Sequence, residues 1–323
     1  MPEEYIYAVA RIRGKEQVLL TGSFMDSLLS AKDYNECLRL LSDHGWSGDG
    51  DSSPEALLTK ERDKTWKFIE ELVPDMSVFN VFLYANDYHN LKAAIKNTAT
   101  QAEHEHIFIT KDQCTIDPAI IRKAVTEQDF SALPKEMQKT AQDALDTILH
   151  TGDGQLCDIS IDQAALNKIY ESGKKSDNDI IRLYAELTVA CADIKTAIRA
   201  SKMGKSLTFL EKALAPCDSL DIKELAKASV EGLDEIYTYL SKTEYSDAVD
   251  EIKKSPSAFE RWCDNKIITS MRPQIHNPFT IGPIAAYILA RENEIKSVRI
   301  ILSGKINNLD ENLVRERVRE MYV

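Results

Sequence analysis

The sequence is short of the two residues that bend and break chains. Average usage would place roughly 23 Gly and about 16 Pro in a chain of this length. There are 12 and 10 among 323 residues. That shortage excludes collagen-like, low-complexity and long disordered architectures. It also weakens an all-β reading, because tight reversals between strands consume Gly and Pro. Basic residues are likewise in the minority: 40 Lys and Arg face 52 Asp and Glu, a net charge of −12. Phosphate contacts need clustered positive charge, so no nucleic acid is expected among the main partners. Electrostatic adsorption to an anionic bilayer is disfavoured for the same reason. Contact with a membrane protein stays open.

Long apolar runs are missing too. The longest stretch without Asp, Glu, Lys or Arg runs from Pro273 to Ala290, and Pro273, Gln274, His276, Asn277, Pro278, Gly282 and Pro283 interrupt it. Its apolar part, Ile284 to Ala290, falls far short of the roughly 20 residues a spanning helix needs, and no transmembrane helix is expected. The opening Met-Pro-Glu-Glu-Tyr-Ile-Tyr has no apolar core of a signal peptide, so none is expected. The cysteines (Cys37, Cys114, Cys157, Cys191, Cys217 and Cys263) are scattered, without metal-ligand spacing. Reduced thiols in a cytoplasmic-type compartment are the expectation.

What is present is apolar content at helical spacing. Hydrophobic residues make up 43% of the chain, ample for real cores in two or three domains or a repeat array. The opening Tyr5 to Leu20 leans towards β structure. Periodicity then predicts helix from Phe24 to Leu41, and a loop from Gly48 to Pro54 with Ser53 capping and Pro54 in the first turn of the next helix. Trp66, Ile69, Leu72 and Val73 form one apolar face that Pro74 ends. A long helix follows over Ser77–Ala99, with Phe79, Phe82, Leu83, Leu91 and Ile95 facing inward. Further helices are predicted at Asp117–Thr126, Lys135–Leu149, Asp162–Glu171, Asp177–Ala200, Ser206–Leu214, Ile222–Leu240, Phe259–Thr269, Pro283–Leu302 and Asp310–Met321. The class is all-α.

Three long helices carry a similar phrase: Asn90-Leu91-Lys92, Asp193-Ile194-Lys195 and Glu294-Ile295-Lys296, their lysines 103 and then 101 residues apart. Flanking anchors agree. Ile69 and Glu71 recur as Ile169 and Glu171, and Leu83-Tyr84-Ala85 as Leu183-Tyr184-Ala185, both after 100 residues. Leu41-Ser42 with Trp46 recurs as Leu240-Ser241 with Tyr245 after 199, and Trp66 as Trp262 after 196. This predicts three divergent copies of one helical unit, 1–106, 107–207 and 208–323, arranged with approximate threefold symmetry. In each phrase an acceptor lies two residues before a lysine, positions that do not face each other on a helix. Lys92, Lys195 and Lys296 are either part of a solvated polar face or residues lining a shared surface that grips a partner. Glu292 and Lys296, spaced i,i+4, are a candidate local ion pair.

Candidate chemistry is sparse. Gly152-Asp153-Gly154 lacks the remaining features of a phosphate loop and reads as a turn. Glu103-His104-Glu105-His106 has no third metal ligand nearby and reads as loop surface. His89 lies within a helix without a nucleophile elbow to serve, and reads as a packed or hydrogen-bonded histidine. Asp49 and Asp51 lack the glycine and terminal glutamate of a calcium loop. No catalytic, cofactor or metal residue is assigned and no cofactor is expected.

The most distinctive stretch is C-terminal. It runs Gly282-Pro283-Ile284-Ala285-Ala286-Tyr287-Ile288-Leu289-Ala290-Arg291-Glu292-Asn293-Glu294-Ile295-Lys296, continues through Ser303-Gly304-Lys305, and closes with Arg319-Glu320-Met321-Tyr322-Val323. This resembles the C-type subunit of prokaryotic V-type (archaeal-type) rotary ATPases, the counterpart of the d-type subunit of the eukaryotic vacuolar ATPase. The family carries an Ala-Arg-Glu-Asn-Glu phrase and a Gly-Lys turn, both present here, and a terminal Arg-Glu-x-x-Tyr-Val, for which this chain has Arg319-Glu320-Met321-Tyr322-Val323. Asp87-Tyr88-His89-Asn90-Leu91-Lys92 is similar to the family's first long helix, and Cys191-Ala192-Asp193-Ile194-Lys195 is a partial echo.

The resemblance implies an all-helical, funnel-shaped, non-catalytic central-stalk socket. Its partners would be the central shaft and the membrane rotor ring, at the cytoplasmic face, in proton or sodium transport. The alternative is a free helical-repeat scaffold that binds proteins, which predicts an elongated solenoid with an exposed groove.

Overall fold

The computed structural model describes residues 5–46, 53–101 and 104–323. Among them all regular structure is helical. In chain order the α-helices are α1 (Ile6–Glu16), α2 (Gly22–Ser30), α3 (Tyr34–Asp43), α4 (Pro54–Glu70), α5 (Tyr84–Thr100), α6 (Pro118–Glu127), α7 (Lys135–Thr151) and α8 (Gly154–Lys175). They continue as α9 (Asp179–Lys202), α10 (Leu207–Ala213), α11 (Ile222–Glu231), α12 (Leu233–Leu240), α13 (Ala248–Lys254), α14 (Pro256–Met271), α15 (Gly282–Ile306) and α16 (Glu311–Arg315). Short 3₁₀ segments link several of them. No helix among the described residues is long and apolar enough to cross a membrane.

The chain forms two compact units, one built from its two ends (up to Met76, and Asp247–Val323) and one from Ser77–Ser246. In the first unit α15 is the central element. Every residue from Ile281 to Arg291 is buried, as expected of a helix that is apolar on all sides rather than along one stripe. It packs against α1, α2, α3, α4, α14 and α16. Leu20, Leu28, Leu41 and Leu58 close around Ile295, Val298 and Ile301 to form the core. Each such side chain contributes about 1.5–3 kcal/mol by leaving water.

In the second unit α5 packs on α6, α7 and α8, while α9 packs on α8, α10, α11 and α12. Leu91, Ile95, Ile121, Val125, Leu145 and Ile161 share one core cluster here. Gly173 allows α8 and α9 to approach closely: a Cβ added there would lie 2.3 Å from the Cβ of Ala185.

Several expectations need correction. The β-leaning opening is helix α1, because Ala8, Val9, Ile12 and Glu16 form a buried stripe at helical spacing. The run expected from Ser77 begins as a 3₁₀ turn over Met76–Phe82, and α5 starts only at Tyr84. Phe79, Leu91 and Ile95 are buried as expected, whereas Phe82 and Leu83 are half-buried. The Phe24–Leu41 helix is broken between α2 and α3, where the Asp33 side chain accepts the Glu36 N–H at 3.0 Å and so starts a new helix. The Ile222–Leu240 helix is split at Gly232, whose φ of 144° lies outside helical space. Asp310–Met321 shrinks to the short α16.

Elsewhere the Ser53 hydroxyl accepts the Ala56 N–H with Pro54 in the first turn, as the sequence predicts. Most of the preceding loop, with Asp49 and Asp51, lies outside the described residues.

Candidate functional site

The repeated phrases fall on α5, α9 and α15, and in each the acceptor is buried while the lysine is not. On α5 the Asn90 Oδ1 accepts the Ile109 N–H at 2.8 Å, and its Nδ2 donates to the Ile109 carbonyl at 3.0 Å. One turn earlier, Asp87 accepts the N–H groups of Thr115 (2.9 Å) and Ile116 (3.1 Å) and the Thr115 hydroxyl. Burial raises the Asp87 carboxyl, and these hydrogen bonds oppose the rise. His89 Nε2 donates to the Ile107 carbonyl at 2.9 Å. One face of α5 thus fastens the 107–116 segment by its main chain.

On α9 the Asp193 Oδ1 accepts the Ala215 N–H at 3.0 Å. Two turns earlier, Glu186 accepts the N–H groups of Asp218 (3.1 Å) and Ser219 (2.8 Å) and the Ser219 hydroxyl (2.5 Å). The 214–219 segment is fastened as the 107–116 segment is.

On α15 the Glu294 Oε1 accepts the Leu20 N–H at 2.5 Å, just before α2. Its Oε2 meets Arg291 Nη1 at 2.5 Å, and Arg291 Nη2 reaches Glu61 on α4 at 2.8 Å. Lys64 caps the cluster at Glu61 Oε1, 2.5 Å away. The Arg291 guanidinium also lies over the Trp46 ring, 5.0 Å from its centroid. Burial pushes the Glu294 carboxyl up to about 7, with Arg291 and the Leu20 amide pulling it back.

A main-chain N–H taken out of water without a partner costs about 1–3 kcal/mol. On each of α5, α9 and α15 at least one buried acceptor satisfies such a donor in a connecting segment and ties that segment down. The arrangement braces loops against long helices.

The lysines occupy the neighbouring, wetter side of the same helices. Lys92 pairs with Asp162 on α8 at 2.5 Å, and Lys296 with Asp264 on α14 at 2.7 Å. Lys195 is half-buried on α9. Lys92 and Lys195 belong to the unit spanning Ser77–Ser246 and Lys296 to the other. The suggested Glu292–Lys296 pair is replaced: Arg62 takes Glu292 through Nε at 2.7 and 2.9 Å, and Lys296 goes to Asp264. His104 and His106 stand with ring centroids 5.8 Å apart. Among the described residues no three His, Cys, Asp or Glu side chains converge as metal ligands. Gly152-Asp153-Gly154 is a turn, with Gly152 left-handed at the end of α7 and Asp153 accepting the Leu156 N–H at the start of α8.

The Arg291–Glu61–Glu294 cluster was not recognised from sequence. Its available signal was an arginine within an apolar helix, three residues before a glutamate.

Residues 8–317 match the family model described as ATP synthase (C/AC39) subunit. The chain is 21% identical to the C-type subunit of the V-type sodium ATPase of Enterococcus hirae, over 96% of this chain and 97% of that one. It is 24% identical to the C-type subunit of the V-type ATP synthase of Thermus thermophilus, covering 98% and 99% of the two chains. The corresponding C-type subunit of the A-type ATP synthase of Methanocaldococcus jannaschii is 23% identical, over 99% of this chain and 86% of its own. With nearly its whole length matched, the chain belongs to the ATP synthase (C/AC39) subunit family.

Proposed function

We propose that this chain is the non-catalytic central-stalk subunit of a V-type ATPase or ATP synthase, a socket that joins the rotating shaft to the membrane rotor ring. The observation that carries the reading is the family match over residues 8–317. The bracing on α5, α9 and α15 supports it, because a torque adapter must not yield where its connecting segments leave the helices. The equivalent use of Asn90, Asp193 and Glu294 also supports three copies of one helical unit, a construction suited to a part centred on a rotation axis. In this reading the socket works at the cytoplasmic face of the membrane and carries torque in proton or sodium transport. Lys92, Lys195 and Lys296 lie at partner-facing positions, and the net charge of −12 finds its complement in basic partner surfaces, acting on encounter and specificity.

The test is binding of the purified chain to each half of the machine separately. Immobilised chain should retain the shaft proteins, and membranes carrying the rotor ring should sediment it. Retention of neither, with the chain folded, would overturn the proposal.

A further inference from the structure

Asp193 has a feature that bracing alone does not use. Its side chain is fully buried on α9. While Oδ1 accepts the Ala215 N–H at 3.0 Å, Oδ2 is buried without a hydrogen-bond partner. The two equivalent positions resolve the same problem differently. On α5 the residue is an amide, neutral by constitution, and Nδ2 of Asn90 donates to the Ile109 carbonyl at 3.0 Å. On α15 the residue is Glu294, with the Arg291 guanidinium 2.5 Å away. Asp193 has neither an amide nitrogen nor that guanidinium.

Its electrostatic surroundings are acidic. Glu186, on the same helix, is the charged group whose field acts on Asp193, and it opposes a second negative charge. From the segment after α10 comes the Cys217 thiol, itself raised to about 12 by burial and then by Glu186 and Asp193. Tyr245, beyond α12, hydrogen-bonds the Ser219 hydroxyl that Glu186 holds. Among the described residues no cation of α8, α10, α11 or α12, the helices packed on α9, acts on Asp193. Lys195 lies two positions further along α9, where helix geometry turns it to another side. A lone buried carboxylate neutralises rather than bear its desolvation.

We propose that Asp193 is a proton-binding site, carrying a proton as the neutral counterpart of Asn90, and that this proton keeps the 214–219 segment clasped to α9. Burial, reinforced by Glu186 and opposed by the Ala215 amide, pushes this carboxyl from an ordinary 3.8 up to about 8. The native chain then holds one proton more than the unfolded chain between about pH 4 and about pH 8. A group raised in this way stabilises fully below its unfolded value, and the benefit is lost as pH rises through its folded value.

The experiment is a pH titration of the full chain labelled with ¹³C at the aspartate carboxyls, with Asp193 assigned through its own backbone. The Asp193 carboxyl should remain in its protonated position at about pH 6 and move to the carboxylate position only near pH 8. Movement complete by about pH 5, as for a surface acid, would overturn the proposal. Asp193→Asn is the second arm. Between about pH 5 and about pH 8 its Tm should rise steadily relative to the parent, by several degrees in all. A Tm difference independent of pH would also overturn it. If the variant does not fold, the carboxyl titration of the parent chain decides alone.

Discussion

Arg291 is enclosed by groups that need its charge. Glu61 and Glu294 are 3% and 2% exposed, and both lean on one guanidinium shared between α4 and α15. Removing a single partner from such a cluster leaves uncompensated charge in a poor solvent, at a cost of about 3–5 kcal/mol. Arg291→Met should lower the stability measured by urea unfolding by that much, and a loss below about 1 kcal/mol would show the cluster to be solvated. The Glu294 carboxyl is already pushed up to about 7 by burial, against the pull of Arg291. Without the guanidinium it rises further, so the folded state favours the protonated acid and stability falls as pH increases through that range. The penalty of Arg291→Met should therefore be larger at pH 8 than at pH 6, and a penalty that shrinks with pH would contradict this. The repeated phrases were legible in the sequence because each is the same short pattern of a polar, an apolar and a basic residue. Which of their polar residues goes inside was not, because that depends on which segment comes back to meet the helix: Ile109, Ala215 or, from the far end of the chain, Leu20. Once the acceptor faces that segment, the lysine two residues on must point elsewhere.

At the scale of elements, close approach and chain reversal each rest on a glycine. Gly173 brings α8 onto α9, and its missing Cβ would stand 2.3 Å from the Cβ of Ala185, an atom fixed to the backbone. Gly173→Ala should therefore destabilise the chain by about 1–3 kcal/mol through overpacking, offset by at most about 1 kcal/mol of helix propensity. Ala185→Gly should relieve the clash, giving a coupling of about 0.5–3 kcal/mol in a double-mutant cycle. Additive effects would mean the helices separate freely. Gly232, between α11 and α12, adopts φ 144° and ψ 178°, a region essentially reserved for glycine. Gly232→Ala should cost about 1–3 kcal/mol in denaturant unfolding, and a neutral result would show that the α11–α12 corner relaxes.

Long helices were legible where their apolar period persists over many turns: α9 and α15 lie within a few residues of the expected ranges at each end, whereas α8 runs Gly154–Lys175 where only Asp162–Glu171 is expected. The corner at Gly232 was not, since apolar periodicity continues across it. Nor was the end of α16. Beyond Arg315 the main chain bonds to other elements: the Arg272 guanidinium donates to the Met321 carbonyl at 2.8 Å, and the Asn265 side chain accepts the Glu320 N–H at 2.9 Å. Such tertiary partners compete with helical hydrogen bonds and leave no trace in local periodicity.

For the whole molecule, the shortage of Gly and Pro becomes a statement about how the chain is built. With few breakers, helices of up to 25 residues form, and the segments between them are held by buried side chains. The family is that of an ATP synthase subunit, and the proposed function stands or falls on whether this chain passes torque between shaft and ring. What decides it is the number of ions moved per ATP hydrolysed by the assembled complex in vesicles, with the chain present, absent and added back. Torque transfer through the chain predicts that without it the nucleotide-binding part still hydrolyses ATP while ion movement stops, and that adding the chain back restores coupling. An unchanged ion-to-ATP ratio in its absence would contradict torque transfer through this chain.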